Sequence, residues 1–175
     1  DYDRYLWLVQ RGRKLKWDEE LMSVNRPFEV ADPTMTFILL RASRDLLYMA
    51  EALDVDNIEI SEWCSKLRVG IETLRNPDGG LFNAINCQTG EHSGNITSAS
   101  FLNWYAGIDD EETLKILKKT LEETRYPLPS LSINSEKFDG MRYWRGPTWV
   151  VLNSLVGVGL SEMGYIAEAT LLRNC

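Results

Sequence analysis

Histidine is almost absent from this sequence: His92 is the one such residue among 175. A lone imidazole cannot assemble a metal cluster, and His92 sits in a polar turn, where a solvated side chain is the plainer reading than a catalytic group. Cysteine is scarce as well. Cys64, Cys87 and Cys175 make an odd number with no C-x-x-C spacing, so neither a zinc site nor a disulfide framework is legible. No metal and no cofactor is expected. With no signal segment visible, a reducing, cytoplasmic setting is the expectation. Positive charge is in deficit, with 19 Lys and Arg against 26 Asp and Glu, a net charge of −7. That balance excludes nucleic acid and anionic membrane as expected partners, because both need a basic face. Long hydrophobic runs are missing too. The longest stretch without charge, Gly146 to Ser161, carries Thr148, Asn153 and Ser154. It is shorter than the ~20 residues a membrane span requires and reads as a buried helix.

What the chain has is helical periodicity and aromatic residues. Hydrophobic residues make up 44% and charged residues 26%, an ordinary globular balance, but six tryptophans is a high count. The length suits one domain with a real core. Tyr2, Tyr5, Leu6 and Val9 form a first apolar stripe. Asp32-Pro33 is an N-cap and N1 pair, and Met35, Ile38, Leu39, Ala42, Leu46, Met49, Ala50 and Leu53 follow at helical spacing. Phe37, Leu40 and Leu47 widen that stripe, which predicts a helix buried on two sides. Ile60, Trp63, Leu67, Ile71 and Leu74 mark a helix over 58–75, and "NPDGG" at 76–80 ends it. Leu81 to Ile85 predicts a short strand and "QTGE" a turn, hence a small β-hairpin excursion near 81–92. Residues 97–106 are expected to return to helix. A solvent-facing helix over 109–123 has acids in its first turn and an inner stripe of Leu114, Leu117 and Leu121. Residues 125–141 read as a long functional loop. Pro147 is expected to start a helix running to Met163, with Trp149, Leu152, Val156, Leu160 and Met163 inside, and one more helix follows. The fold class is therefore all-α. Both ends lie in amphipathic runs and there is no initiator methionine, so a piece of a longer protein is expected.

The densest chemistry is "MRYWRGPTW", residues 141–149. An aromatic face packs on the C–H face of a sugar ring, and an indole N–H or phenol O–H can reach its hydroxyls. Arginine offers a fixed fork of donors to carboxylates or hydroxyls. Gly146 permits close backbone approach, and Pro147 suits a helix start. A buried aromatic corner with Arg145 paired to an acid would have the same composition.

The segment "YWRGPTWVVLNSLVGVGLSEMGY" (143–165) resembles the "YWRGP-W" element of glycoside hydrolase family 63 and its bacterial relatives, among them mannosylglycerate and glucosylglycerate hydrolases and processing α-glucosidases. Three further segments agree in order: "FEVADPTMTFILLRASRDLLYMAEAL" (28–53), "PDGGLFNAINCQTGE" (77–91) and "PLPSLSI" (127–133). The resemblance implies part of an (α/α)6 toroid, with residues 1–175 as a single partial catalytic domain truncated at both ends. It also implies inverting hydrolysis of an α-glycosidic bond of a glucosyl or mannosyl saccharide or a glycerate glycoside. The family's acid, an Asp in a "G-DNSP-W"-like motif, has no counterpart here and by position would precede Asp1; its base, a Glu, would follow Cys175. No catalytic residue carries over. Tyr143, Trp144, Arg145 and Trp149 carry over as substrate-binding residues lining a pocket, with Tyr143, Trp144 and Arg145 at its mouth. Asp139 is the nearest carboxylate to the cluster; it reads as an acceptor for a sugar hydroxyl, as a catalytic group, or as the partner of Arg142 or Arg145. Asn153 either reaches the pocket or satisfies a neighbouring helix end. An acidic aglycone would suit Arg145 or Arg26. "NIT" at 95–97 matches a glycosylation sequon, a match common by chance. The alternative reading is a non-catalytic helical module that binds saccharide or protein.

Overall fold

A computed structural model describes residues 2–24 and 26–173. These fall in two compact units, residues 1–30 and 31–175. In the first unit, α1 (Tyr2–Lys14) and α2 (Glu19–Ser23) are joined by a tight reversal in which Lys16 and Trp17 take φ of 54° and 58°. Trp17 donates its N–H to the Gly12 carbonyl (2.9 Å), and its indole covers Gly12. A Cβ at position 12 would stand 2.4 Å from that ring. Asp18 caps α2 by accepting the Leu21 N–H at 3.0 Å. The stripe of Tyr2, Tyr5, Leu6 and Val9 lies on α1 as expected and is exposed.

The second unit begins at Ala31, the last residue of the short strand β1 (Val30–Ala31), which pairs with β2 (Ile85–Asn86). Its helices are α3 (Pro33–Ala52), α4 (Ile58–Thr73), α5 (Glu111–Glu123), α6 (Val150–Glu162) and α7 (Ile166–Arg173). Asp32 caps α3 through the Met35 N–H (3.1 Å), with Pro33 in the first turn, as its sequence predicts. Helix α3 packs on α4 and α6 on α7, and the 3-10 segment Ser98–Phe101 touches α3, α5 and α6. Phe37, Leu40, Ile71, Phe82, Phe101, Leu102, Trp104, Leu117, Leu128, Val156 and Leu160 close the core around that segment. Arg41 ties α3 to α6. Its guanidinium bonds Glu162 at 2.7 Å and Asp45 at 2.9 Å and lies over the Tyr105 ring, and those two carboxylates push its pKa further up.

Four expectations need correction. On α3 the expected inner stripe is mostly the outer one: Met35, Leu39, Ala42, Leu46, Met49 and Leu53 are exposed, and Ala50 alone of that set is buried. The buried line is Pro33, Phe37, Leu40, Ser43 and Ala50. Apolar residues occupy most of the helix circumference, so spacing could not tell the two faces apart. Residues 97–106 form the 3-10 turn and successive turns rather than an α-helix. A reciprocal capping box between Thr97 and Ser100 tightens the first turn, and Ser98 through Trp104 are buried on every side. Residues 81–84 are not strand. They fold back on the end of α4, where Asn76 donates to Leu81 O and Asn83 to Leu74 O, both at 2.8 Å. The hairpin itself exists one step later: Asn86 donates to Glu91 O (2.9 Å), Ser93 to Ala84 O (2.8 Å), and Gly90 turns the chain at φ 74°. Finally, α6 starts at Val150 and not at Pro147, whose carbonyl instead accepts the Ser130 N–H in a strand-like pairing.

Helix α5 carries a pH-dependent cap. Asp110 accepts the Thr113 N–H at 2.7 Å and pairs with Arg75 at 2.8 Å. Burial alone would raise its pKa; the Thr113 N–H and the Arg75 charge outweigh burial and hold it below the usual 3.8. A depressed folded-state pKa stabilises the fold above the unfolded value and is lost as pH falls through the folded one. Asp110→Ala is therefore expected to cost about 1–2 kcal/mol at neutral pH. Paired thermal melts should show the gap to wild type narrowing below pH 3.8; a gap independent of pH would contradict the assignment.

Candidate functional site

The site is built on the path from α5 to α6. Thr124 ends α5 by donating its hydroxyl to Pro127 O (2.7 Å). The chain then runs past Leu128, which is fully buried, into Pro129 and Ser130. Asn153, one turn inside α6, receives this strand. Its Oδ1 accepts the Leu128 N–H, and its Nδ2 donates to Leu128 O and to Trp149 O, all three at 3.0 Å. Of the two roles expected for Asn153, the structure assigns the structural one, with backbone of the loop in place of a helix end. Ser130 joins the outgoing limb to the returning one: it donates its N–H to Pro147 O and accepts the Gly146 N–H on Oγ, both at 3.0 Å. Pro129 pairs with Thr148 across the same gap. Ser130 carries no signal in the sequence, since its setting between Pro129 and Leu131 gives no sign of two limbs meeting there.

Between these limbs, residues 139–146 make a compact turn. Asp139 donates its N–H to Arg145 O (2.8 Å), and Gly146 presses on the backbone of 139–140. A Cβ on Gly146 would stand 2.5 Å from Asp139 O, so the close approach that requires glycine is to the chain's own backbone. Tyr143, Trp144 and Trp149 emerge from this turn as one group. Ring centroids lie 4.3 Å apart for Tyr143 and Trp149, 5.0 Å for Trp144 and Trp149, and 5.5 Å for Tyr143 and Trp144. Trp149 Nε1 donates to Tyr143 O at 3.0 Å, which locks that indole. Tyr143 is 66% and Trp144 60% exposed, so the rings form a platform open to solvent. Among the described residues, Trp144 Nε1 and the Tyr143 hydroxyl have no hydrogen-bond partner. The trio lies outside the cavity of about 450 Å³ between α6 and α7, which Thr148, Val150, Gly157, Ile166 and Arg173 help to line.

The charged residues divide clearly. Asp139 pairs with Arg142 (3.6 Å) and accepts the Met141 N–H (3.0 Å). Arg145 is exposed and has no ion pair among the described residues. Arg26 is bound to Glu29 in the first unit. His92 bonds Thr73 O at 3.1 Å and ties the hairpin to the end of α4. Asn95 of the sequon is half-buried and spends its amide on Ser93 O (2.9 Å). Cys64 and Cys87 are free thiols, Cys64 buried; Cys175 lies outside the described residues. No helix among the described residues is long and apolar enough to cross a membrane.

A helical chain with a small hairpin and an aromatic platform at the foot of α6 meets its family here. The model of the mannosylglycerate hydrolase MGH1-like glycoside hydrolase domain matches residues 1–174, and the chain belongs to that family. The mannosylglycerate hydrolase of Thermus thermophilus is 37% identical over 177 residues, covering 99% of this chain and 43% of that protein. Mannosylglycerate hydrolase MGH1 of Selaginella moellendorffii is 36% identical over 171 residues, covering 94% of this chain and 35% of that protein. The chain thus spans less than half the length of these relatives. The crystal structure of a GH63 mannosylglycerate hydrolase from Thermus thermophilus in complex with Tris and D-glycerate superposes with a TM-score of 0.92 at 36% identity, over 98% of this chain and 43% of that one. The expected all-α architecture, part of a GH63-type helical toroid, is the observed one.

Proposed function

We propose that this chain supplies the aromatic substrate-binding wall of an inverting α-glycoside hydrolase acting on a glucosyl or mannosyl glycoside, with a glycerate glycoside as the favoured substrate. Residues 1–175 are then a single partial catalytic domain. The observation that carries this is the solvent-open stack of Tyr143, Trp144 and Trp149 beside an Arg145 with no ion pair among the described residues. Trp144 offers a ring face to sugar C–H groups and a free N–H to a hydroxyl. Arg145 offers a fork that fits a glycerate carboxylate. Asp139 accepts from a sugar hydroxyl through a second lone pair of its carboxylate, whose Oδ2 faces Arg142 and whose Oδ1 takes the Met141 N–H. Exposed apolar residues on α3, Met35, Leu39, Leu46, Met49 and Leu53, support the partial-domain reading, since a toroid covers such a face with a neighbouring hairpin. The free thiols accord with a cytoplasmic setting.

The alternative, a non-catalytic saccharide-binding module, has one observation in its favour. Glu136 and Asp139, the carboxylates nearest the cluster in sequence, come from one short segment. Both readings place sugar on Trp144. Titrating the chain with mannosylglycerate and glucosylglycerate should give a saturable change in tryptophan fluorescence. Trp144→Ala should weaken that binding by about 1–3 kcal/mol. Equal affinity in the variant would remove Trp144 from the site.

A further inference from the structure

The aromatic platform rests on a turn that has no helix or strand of its own, yet its three rings hold defined angles. What fixes them lies underneath, in two buried polar side chains, Asn153 (5% exposed) and Ser130 (3% exposed). The Asn153 amide faces the N–H and C=O of one residue, Leu128, as a neighbouring strand would, and spends its second N–H on Trp149 O. All three bonds agree on which atom is oxygen. The reversed amide would set donor against donor and lone pair against lone pair. Ser130 does the complementary work on the other limb, holding Gly146 and Pro147 and so fixing the residue beside Arg145. From these two anchors the order passes outward through Asp139 N–H to Arg145 O and through Trp149 Nε1 to Tyr143 O.

We propose that Asn153 and Ser130 are positioning residues for the saccharide platform, setting the mutual angle of Trp144 and Trp149 before any ligand arrives. The proposal rests on the reading of the platform as a sugar site, but its test does not. Two indoles with centroids 5.0 Å apart and planes 31° apart couple their transitions and give an exciton couplet in circular dichroism. Subtracting the spectrum of Trp144→Phe isolates that couplet from the other tryptophans. Asn153→Asp keeps the shape and one acceptor but turns a carboxylate oxygen toward the Leu128 and Trp149 carbonyls. Ser130→Ala leaves the buried Gly146 N–H without its acceptor. Each is measured with and without Trp144→Phe, well below its own melting temperature. Ile71→Ala, a core truncation on α4, serves as the stability control.

The couplet is expected to fall about twofold or more in Asn153→Asp and in Ser130→Ala, and to keep its wild-type amplitude in Ile71→Ala. Should Asn153→Asp not fold, Ser130→Ala decides alone. A wild-type couplet in the folded variants overturns the proposal, as does an equal loss in Ile71→Ala. Because the couplet is read without saccharide, a wild-type chain that ignores mannosylglycerate and glucosylglycerate would sink the functional reading and leave this result standing.

Discussion

Gly159→Ala is expected to prevent native folding. Helix α6 crosses the turn at Trp104–Tyr105 at backbone contact. A Cβ at position 159 would stand 2.2 Å from Tyr105 N, 2.4 Å from the Trp104 carbonyl carbon and 2.6 Å from Tyr105 Cα. All three are main-chain atoms, so no rotamer change relieves the clash, and α6 must lift away from Trp104, uncovering its own Val156 and Leu160, all three fully buried. Overpacking of this kind costs more than ~4 kcal/mol, a large part of the ~5–15 kcal/mol that holds a domain together. Gly157 is the internal comparison. Its Cβ would meet Leu172 Cβ at an ordinary 3.8 Å, so Gly157→Ala should be neutral or stabilising by up to ~1 kcal/mol through helix propensity. Thermal melts of the two variants should diverge sharply. Similar melting temperatures would mean that α6 does not pack on Trp104–Tyr105 as described.

A second large effect concerns catalysis. The 175-residue chain by itself is expected to release no sugar from mannosylglycerate, glucosylglycerate or aryl α-glucosides, so the ~10⁶-fold or greater acceleration of an enzyme should be missing altogether. Inverting hydrolysis needs one carboxylic acid on the leaving oxygen and a carboxylate on the opposite ring face to activate water, ~6.5–9.5 Å apart. Glu136 and Asp139 would approach a sugar on Trp144 from one side. Asp139 is also engaged by Arg142 and by the Met141 N–H. Turnover that survives purification and vanishes in Asp139→Asn would contradict this and make Asp139 catalytic.

Much of this architecture was legible because local chemistry and global packing agree. Asp32-Pro33 caps the helix it predicts, and the first-turn acids of α5 sit behind the Asp110 cap. The aromatic cluster was legible as chemistry: the rings do meet, and they are open to solvent. What was not legible depended on distant backbone. Nothing near Pro147 reveals that its carbonyl belongs to Ser130, so the sequence alone starts α6 three residues early. The faces of α3 are both apolar, and only the positions of α4, α6 and the 3-10 segment say which one is buried. Residues 98–104 carry helical spacing, yet they are enclosed on all sides and take the tighter turn that fits beneath Gly159.

A chimera decides whether this segment forms the sugar-binding wall of a glycerate-glycoside hydrolase. The matched 43% of the Thermus thermophilus mannosylglycerate hydrolase would be replaced by residues 1–175 of this chain, leaving the rest of that enzyme intact. Hydrolysis of mannosylglycerate and glucosylglycerate is then assayed beside the same chimera carrying Trp144→Ala. The chimera is expected to release sugar from at least one of the two, with kcat/KM falling about tenfold or more in the variant. A chimera that folds with the helical spectrum and melting cooperativity of the Thermus enzyme but hydrolyses neither glycoside, or hydrolyses them equally well without Trp144, would contradict it.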